Sequence, residues 1–202
     1  MHKFVLTVVA FALAAILATG CSSVPPMRFY VVTPLAAPAA AARAPGPRVV
    51  VAAVRLPEYL ERPQLVTRSG DNRLQLEEFQ QWGGNLAKDL TRVMAENLSQ
   101  LLGSDAVIAA PHTQRMRPDY RVEVEVLRFE RAGDARVHLT ARWWLQRGTD
   151  GTLLASRAAA LSSAPLPDAG TFDVTVAAMS GLYGELSRAI AQEIARQEKA
   201  AR

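Results

Sequence analysis

The sequence contains few of the residues on which metal sites and many catalytic sites depend. Its 202 residues include one cysteine, Cys21, and three histidines, of which His2 lies at the start of an apolar leader. A single thiol cannot form an internal disulfide, a cysteine-rich zinc site or a C-x-x-C redox pair. His112 follows a proline, and His138 points outward from a predicted strand with no carboxylate at ligand spacing. We therefore expect no bound metal and no histidine-dependent catalysis.

The motifs of nucleotide-binding and acyl-transfer enzymes are also missing. The chain has no P-loop, no G-x-G-x-x-G and no G-x-S-x-G. Glu123 and Glu125 share a face of a predicted strand and could form an acid–base pair. A solvated face whose charge is balanced by Arg121 and Arg142 is the simpler interpretation. The sequence thus predicts no enzyme activity, no cofactor and no catalytic residue.

The charge balance excludes nucleic-acid-binding proteins. Residues 1–20 hold one charged side chain, Lys3, and the rest of the chain has 22 basic and 19 acidic residues. The resulting formal charge of +3 is dispersed along the chain. A nucleic-acid-binding surface needs a basic face or stripe, so we expect no nucleic acid among the partners.

Residues 1–20 have the organisation of a secretory signal. A short basic start is followed by an apolar run of 15 residues from Phe4 to Ala18, which Thr7 alone interrupts. This run is too short to span a bilayer, which takes about 20 residues, but it suits the apolar core of a signal peptide. The run ends in small residues directly before Cys21, an order that resembles a bacterial lipoprotein signal. We predict that residues 1–20 are a cleaved lipoprotein signal peptide and that Cys21 is lipidated.

The sequence leaves open a plain secretory leader with an incidental cysteine, or an uncleaved anchor. The absence of any other cysteine favours lipidation, because Cys21 would otherwise be an unpaired thiol in an oxidising compartment. Serine, and not aspartate, stands at position 22, which by resemblance to known sorting patterns directs the protein to the periplasmic face of the outer membrane. Residues 21–27 then carry the lipid and form a tether that reaches roughly 20 Å.

The remaining pattern predicts one α+β domain over residues 28–202, with a mostly antiparallel sheet and two long helices packed on one face. An Ala/Pro-rich stretch, residues 36–47, interrupts the domain as a surface linker. The predicted strands are 28–33, 48–56, 64–68, 73–77, 106–110, 120–130, 135–145 and 152–162, and the predicted helices are 79–102 and 171–197. A change of phase at Leu127 and Phe129 indicates a bulge, or a strand end that is covered on both faces.

Two neighbouring segments form the best candidate for a partner-binding surface. Pro57 and Pro63 bracket a turn and reduce the freedom that it must lose on binding, and a hairpin turn follows closely. Aromatic and arginine side chains on these segments are of the types that dominate interface energetics. The candidate residues are Tyr59, Leu60, Arg62, Arg68 and Asp71. The alternative, which the sequence leaves open, is that Tyr59 and Leu60 plug the end of the sheet.

Trp144 is a separate candidate contact. Its neighbour Trp143 takes the core-facing phase of the predicted strand, so Trp144 should face outward beside Arg142 and Gln146. An exposed tryptophan is a typical binding anchor. Coverage of this ring by the second helix or by the Ala/Pro linker is an equal alternative.

Several segments together resemble a known family. The strand sequence RFYVVTPL follows closely on Cys21, and VRLPEYLERPQLVTR begins at Val54 and continues through DNRL to a helix that ends at residues 96–98. With the strand at 120–130 and the helix at 182–190, the chain is similar over nearly its whole mature length to the ABC-type transport auxiliary lipoproteins, the PqiC-like family.

The resemblance implies an outer-membrane lipoprotein that faces the periplasm and works with an MCE-type system, which moves lipids or other hydrophobic molecules between the two membranes of a Gram-negative envelope. The implied partners are an MCE-domain protein and its ABC transporter, with homo-oligomers possible. The lipoprotein would be a non-catalytic subunit that docks the periplasmic conduit at the outer membrane. A structural lipoprotein that helps to assemble an envelope complex, without contacting substrate, is the alternative.

Overall fold

A computed structural model describes residues 25–36, 46–111, 117–167 and 172–201. The predicted signal peptide, Cys21, most of the linker and His112 lie outside these residues. The strands are β1 (Arg28–Tyr30), β2 (Val49–Val51), β3 (Gln64–Gly70), β4 (Arg73–Trp82), β5 (Val107–Ala109), β6 (Tyr120–Arg131), β7 (Val137–Arg147) and β8 (Leu153–Ser162). The helices are α1 (Leu86–Leu102) and α2 (Phe172–Ala200), and a 3-10 turn spans Glu58–Leu60. Within the described ranges, no helix is long and apolar enough to cross a membrane.

The described strands form one mixed sheet that is organised around β6. One side of β6 pairs with β7, which pairs in turn with β8, and both ladders are antiparallel. On the other side, the start of β6 pairs with β2 and its end meets β3. From there β2 leads to β5, and β3 leads through β4 to the edge strand β1. The long ladders are antiparallel and the parallel ones span at most three residue pairs, so the predicted α+β class is confirmed.

The alternation of apolar residues explains the antiparallel meander. The buried face of β7 consists of Val137, Leu139, Ala141, Trp143 and Leu145. In β6, the pairing register shifts between Val126 and Arg128, which returns Phe129 to the core. The predicted bulge is therefore confirmed.

The two helices pack against each other and against the buried face of the sheet, so one hydrophobic core lies between the layers. The Tyr183 hydroxyl, fully buried at the helix contact, donates a hydrogen bond to the backbone carbonyl of Leu90 at 3.0 Å. Apolar residues at steps of four along α2 predict one buried stripe, and Leu182, Leu186, Ile190 and Ile194 of this stripe are buried. Val174, which the same spacing assigned to the stripe, is exposed on the first turns.

The first helix begins seven residues later than the sequence indicated. Phe79–Trp82, predicted as its first turn, extends β4, because this segment pairs with β1 on one side and reaches the start of β3 on the other. Glycines at 83–84 then break the strand. Asn85 caps α1, since its side-chain oxygen accepts a hydrogen bond from the backbone N–H of Lys88 at 2.9 Å. Gly103 follows the last apolar residues of α1, a position that suits a C-terminal cap, and it has the left-handed conformation (φ 62°) that ends such helices.

Two other predicted strands are shorter in the structure. The segment predicted over 48–56 pairs continuously at Val49–Val51, with one further parallel bridge between Arg55 and Glu125. The segment predicted over 28–33 ends at Tyr30, because the next backbone amides find acceptors on the helices. The three bonds join Val32 N–H to Asp89 Oδ2 at 3.0 Å, Thr33 N–H to Ser180 Oγ at 3.1 Å and Leu35 N–H to Asn97 Oδ1 at 2.7 Å. The chain after β1 is thus fixed to both helices.

Candidate docking site

The 3-10 turn is partly built into the core. Leu60 is 2% exposed and packs among the core side chains, which leaves it little surface for a partner. Tyr59 is half-buried, and its hydroxyl donates a hydrogen bond to Glu130 Oε2 at 2.8 Å. The polar end of Tyr59 therefore points into the protein.

Glu130 is the centre of a buried charge cluster that joins β6 to β3 and to the 3-10 turn. Its side chain is fully buried. The carboxylate accepts hydrogen bonds from the Tyr59 hydroxyl, from Arg68 Nε and from Arg128 Nε, each at 2.8 Å. The backbone N–H of Phe129 donates a further bond at 3.1 Å. Two of the candidate residues, Tyr59 and Arg68, thus meet at a carboxylate that was not among the candidates.

Opposing effects set the ionisation of this cluster. Burial by itself raises the pKa of Glu130, but hydrogen bonds from Arg68, Tyr59 and Arg128 hold that pKa below its usual value. Burial, and then the bond to Glu130, raise the pKa of the Tyr59 hydroxyl. At neutral pH the carboxylate is therefore ionised and the tyrosine is neutral. The two groups bind each other, and the arginines bind the carboxylate, so the cluster fixes the turn against β3 and β6.

We expect Tyr59→Phe to lower the free energy of unfolding by about 1.5–2 kcal/mol, the usual contribution of a hydrogen bond to a charged group. Tyr120→Phe is the matched control, because the Tyr120 hydroxyl donates at the same 2.8 Å to Glu198, which is only partly buried. We expect the control to lose less than about 1 kcal/mol, since water can replace its bond. Urea denaturation of both variants measures the difference, and equal losses would contradict a structural role for the Glu130 cluster.

The remaining candidates on these segments lie at the surface. Asp71 is exposed in the hairpin turn, and its backbone carbonyl accepts a hydrogen bond from Arg68 Nη1 at 2.9 Å. Arg62 borders a surface groove of about 400 Å³ whose wall also includes Phe29 and Trp82. Within the part of the chain that the structure describes, the buried Nε atom of Arg62 has no hydrogen-bond partner. We call this depression the Arg62 groove.

A second groove, of about 260 Å³, shares the glycine pair at 83–84 with the first and is lined in part by Val31, Lys88 and Arg92. Both grooves share Trp82 and Leu86 in their walls. An aromatic and arginine-containing depression is the kind of surface on which binding energy concentrates. The Arg62 groove, the larger of the two, is therefore the best candidate docking site.

Trp144 lies apart from this site. It occupies β7 opposite Glu123, and the guanidinium of Arg55 is 5.5 Å from the centroid of its ring. Along β7, Trp144 lies six positions from His138, which pairs with Glu130. Trp144 and the Glu130 cluster are thus about 20 Å apart. A cation–π contact, which the sequence did not indicate, covers one face of the ring.

Glu123, one of the paired glutamates of β6, has two arginine partners. Glu123 Oε1 accepts a hydrogen bond from Arg121 Nε at 3.1 Å, and Arg55 lies 3.9 Å from the other oxygen. Arg55 therefore provides the second positive charge that the sequence assigned to Arg142. Among the described residues, no group of three or more potential metal ligands occurs.

His138 has partners that the sequence analysis missed. Its Nε2 lies 2.9 Å from Asp134 Oδ2, and its Nδ1 lies 2.8 Å from Ser162 Oγ. The sequence spacing indicated no carboxylate ligand for His138, but the turn before β7 folds Asp134 back onto the ring. The three residues have the composition of a hydrolase triad, but Asp134 and Ser162 are exposed to water, which competes for their hydrogen bonds. We conclude that they tie this turn to β8.

The sequence patterns did not identify two residues that matter here: Glu130, the centre of the buried charge cluster, and Phe29, which lines the Arg62 groove. A signal for Glu130 was present, because the phase change at the bulge places a lone carboxylate between Arg128 and Arg131. A signal for Phe29 was also present in its alternation with Tyr30. Which of the two aromatic rings enters the core depends on the pairing of β1 with β4, which a single sequence does not show.

Comparison with known proteins and protein families assigns the chain to a family. The sequence model of the family described as "ABC-type transport auxiliary lipoprotein component" matches residues 30–191. No curated protein matches the chain. A solved structure described only as an uncharacterised protein has a TM-score of 0.68 and 21% identity, and the alignment covers 84% of this chain and 99% of that one. Protein XCC0632 from Xanthomonas campestris has a TM-score of 0.66 and 19% identity, with coverage of 87% and 100%. These TM-scores show that the chain shares its fold with both proteins.

Proposed function

We propose a role in transport between two membranes for this chain, which belongs to the ABC-type transport auxiliary lipoprotein family. In this proposal, lipids on Cys21 hold the protein at the periplasmic face of the outer membrane. The folded body docks the periplasmic end of a conduit formed by an MCE-domain protein, whose ABC transporter lies in the inner membrane. The transported molecules are lipids or other hydrophobic compounds, and the lipoprotein catalyses no reaction.

The family match is the observation that carries this proposal. It extends over residues 30–191 and so includes nearly all of the folded body, from β1 into the second half of α2. A subunit of this kind contributes surfaces to a complex.

The Arg62 groove is the surface that we assign to the conduit. Phe29 and Trp82 give it apolar walls, and Arg62 adds a guanidinium group. A partner that presents an apolar side chain with a neighbouring carboxylate or carbonyl would satisfy both features. The bracketing residues Pro57 and Pro63 keep this edge of the groove ordered before binding.

The alternative function is that of a structural outer-membrane lipoprotein, which aids assembly of an envelope complex without contacting the transported substrate. Affinity purification from detergent-solubilised envelopes separates the two. We expect the tagged lipoprotein to recover the MCE-domain protein and the components of its ABC transporter. Recovery of outer-membrane assembly proteins without any transporter component would support the alternative and reject the proposal.

A further inference from the structure

The edge strand β1 and the residues next to it carry a row of exposed apolar side chains. Met27, Phe29 and Val31 have exposed fractions of 49%, 63% and 53%, and they alternate with Tyr30 and Val32, which are buried. In the described sheet β1 has one neighbour, β4, so the outward side of this row meets no other strand. Single exposed apolar residues are normal on protein surfaces, but three large ones side by side at one edge form a patch that needs an explanation.

This row has a fixed position on the body. The carbonyl of Tyr30 accepts a hydrogen bond from Gly83 N–H at 2.7 Å, and the amides of Val32, Thr33 and Leu35 are held by side chains of α1 and α2. The close approach of Leu35 to α2 adds to this, since a Cβ on Gly184 would lie 2.6 Å from the Leu35 side chain. A surface that is ordered in advance loses little freedom when another surface covers it.

The length of the preceding chain indicates what covers the row. Met27 stands six positions after Cys21. Six extended residues span roughly 20 Å at most, so a lipid on Cys21 would keep this row within that distance of the bilayer. Because the tether is short, these side chains meet the bilayer surface at a high effective concentration.

We infer that Met27, Phe29 and Val31 insert into the headgroup region of the membrane that holds the anchor. The inference rests on the proposed lipidation of Cys21. Arg28, which is exposed between Met27 and Phe29, then lies at the level of the lipid phosphates, where its guanidinium binds phosphate while its methylenes stay among apolar groups. Because Phe29 also lines the Arg62 groove, the groove opens at the membrane surface, where a conduit for hydrophobic molecules must end.

The test uses the full chain, processed and lipidated in a Gram-negative host and reconstituted into vesicles of phosphatidylethanolamine and phosphatidylglycerol. Lipids on Cys21 block the one native thiol, so Phe29→Cys introduces the one reactive site for an environment-sensitive fluorophore. Leu153→Cys is the matched control, because Leu153 is 56% exposed on β8, at the other end of the sheet. A lipid that carries a nitroxide on its acyl chain quenches fluorophores within the bilayer.

We expect the label at position 29 to be quenched roughly threefold more than the label at position 153, as an interfacially inserted group would be. Met27→Cys should give the same result, which guards against a local disturbance by the label at position 29. Equal, weak quenching at positions 29 and 153 would overturn the inference. The inference would also be overturned if, in detergent without vesicles, the label at position 29 became less accessible to solvent as the protein concentration rose. A second copy of the protein would then cover the row.

Two further readouts separate this inference from the proposed function. The intact mass of the labelled protein shows whether Cys21 carries lipids, and an unlipidated product would overturn both the anchor and the inference. Failure to recover MCE and transporter components would reject the docking proposal alone. The quenching at position 29 would then be unchanged.

Discussion

A Cys21→Ser variant should accumulate as an unprocessed precursor at the inner membrane, with no detectable fraction in the outer membrane. A hydroxyl cannot take up the thioether-linked lipid that precedes cleavage of a lipoprotein signal. Each buried methylene contributes about 0.8 kcal/mol, and stable anchoring takes two or more acyl chains, so loss of the lipids removes the attachment completely. Separation of the membranes on a density gradient, followed by intact-mass analysis, measures the outcome.

Ser23→Ala is the matched control for this experiment, because it alters a neighbouring residue and leaves Cys21 in place. We expect the control to be cleaved, lipidated and found in the outer membrane like the wild type. A Cys21→Ser product that is still processed and still fractionates with the outer membrane would show that residues 1–20 act as a plain secretory leader.

Glu130→Ala should lower the free energy of unfolding by about 3 kcal/mol at neutral pH, near the lower end of the range for breaking a buried ion pair. The loss is moderated because the side chains of Arg68 and Arg128 are 21% and 32% exposed and can turn to water. Glu123→Ala is the control, since Glu123 is 25% exposed and pairs with the exposed Arg121. We expect the control to cost less than about 1 kcal/mol.

The contribution of Glu130 should also depend on pH. Its pKa is lower in the folded protein than in the unfolded chain, so its stabilisation is complete above the unfolded pKa of about 4.3 and is lost as the pH falls through the folded value. The difference between wild type and Glu130→Ala should therefore be constant near neutrality and shrink in the acid range. Urea denaturation at a series of pH values tests this. A difference that stays constant down to acid pH would contradict an ionised Glu130.

The fold was predictable where local patterns and tertiary pairing agree. The alternation in β7 and the spacing of Leu182, Leu186 and Ile190 in α2 each indicate a single face, and that face is buried. Phe79–Trp82 shows where such patterns fail. Its apolar residues fit a helical spacing with Leu86, but long-range pairing with β1 and β3 makes this segment part of β4.

The candidate site was predictable in part. The residue types at Tyr59, Arg62 and Arg68 marked a polar, aromatic segment near one end of the sheet. The sequence could not show that Tyr59 and Arg68 point to Glu130, because their hydrogen bonds join residues 71 and 62 positions apart. Arg62 differs from these two, since it borders a groove and has no internal partner for its Nε in the described residues.

The most direct test of the docking proposal is the recovery of the MCE-domain protein with tagged lipoprotein that carries Arg62→Ala, compared with wild type and with Arg121→Ala. Arg121 is an exposed arginine of β6 and is absent from the walls of the Arg62 groove. We expect Arg62→Ala to reduce recovery about tenfold or more, as truncation of an interface hot spot does, with an unchanged melting temperature and unchanged recovery for the control. Recovery of the MCE-domain protein at the wild-type level by Arg62→Ala would remove the groove from the interface. If the wild-type lipoprotein failed to recover the MCE-domain protein, the proposed function itself would be contradicted.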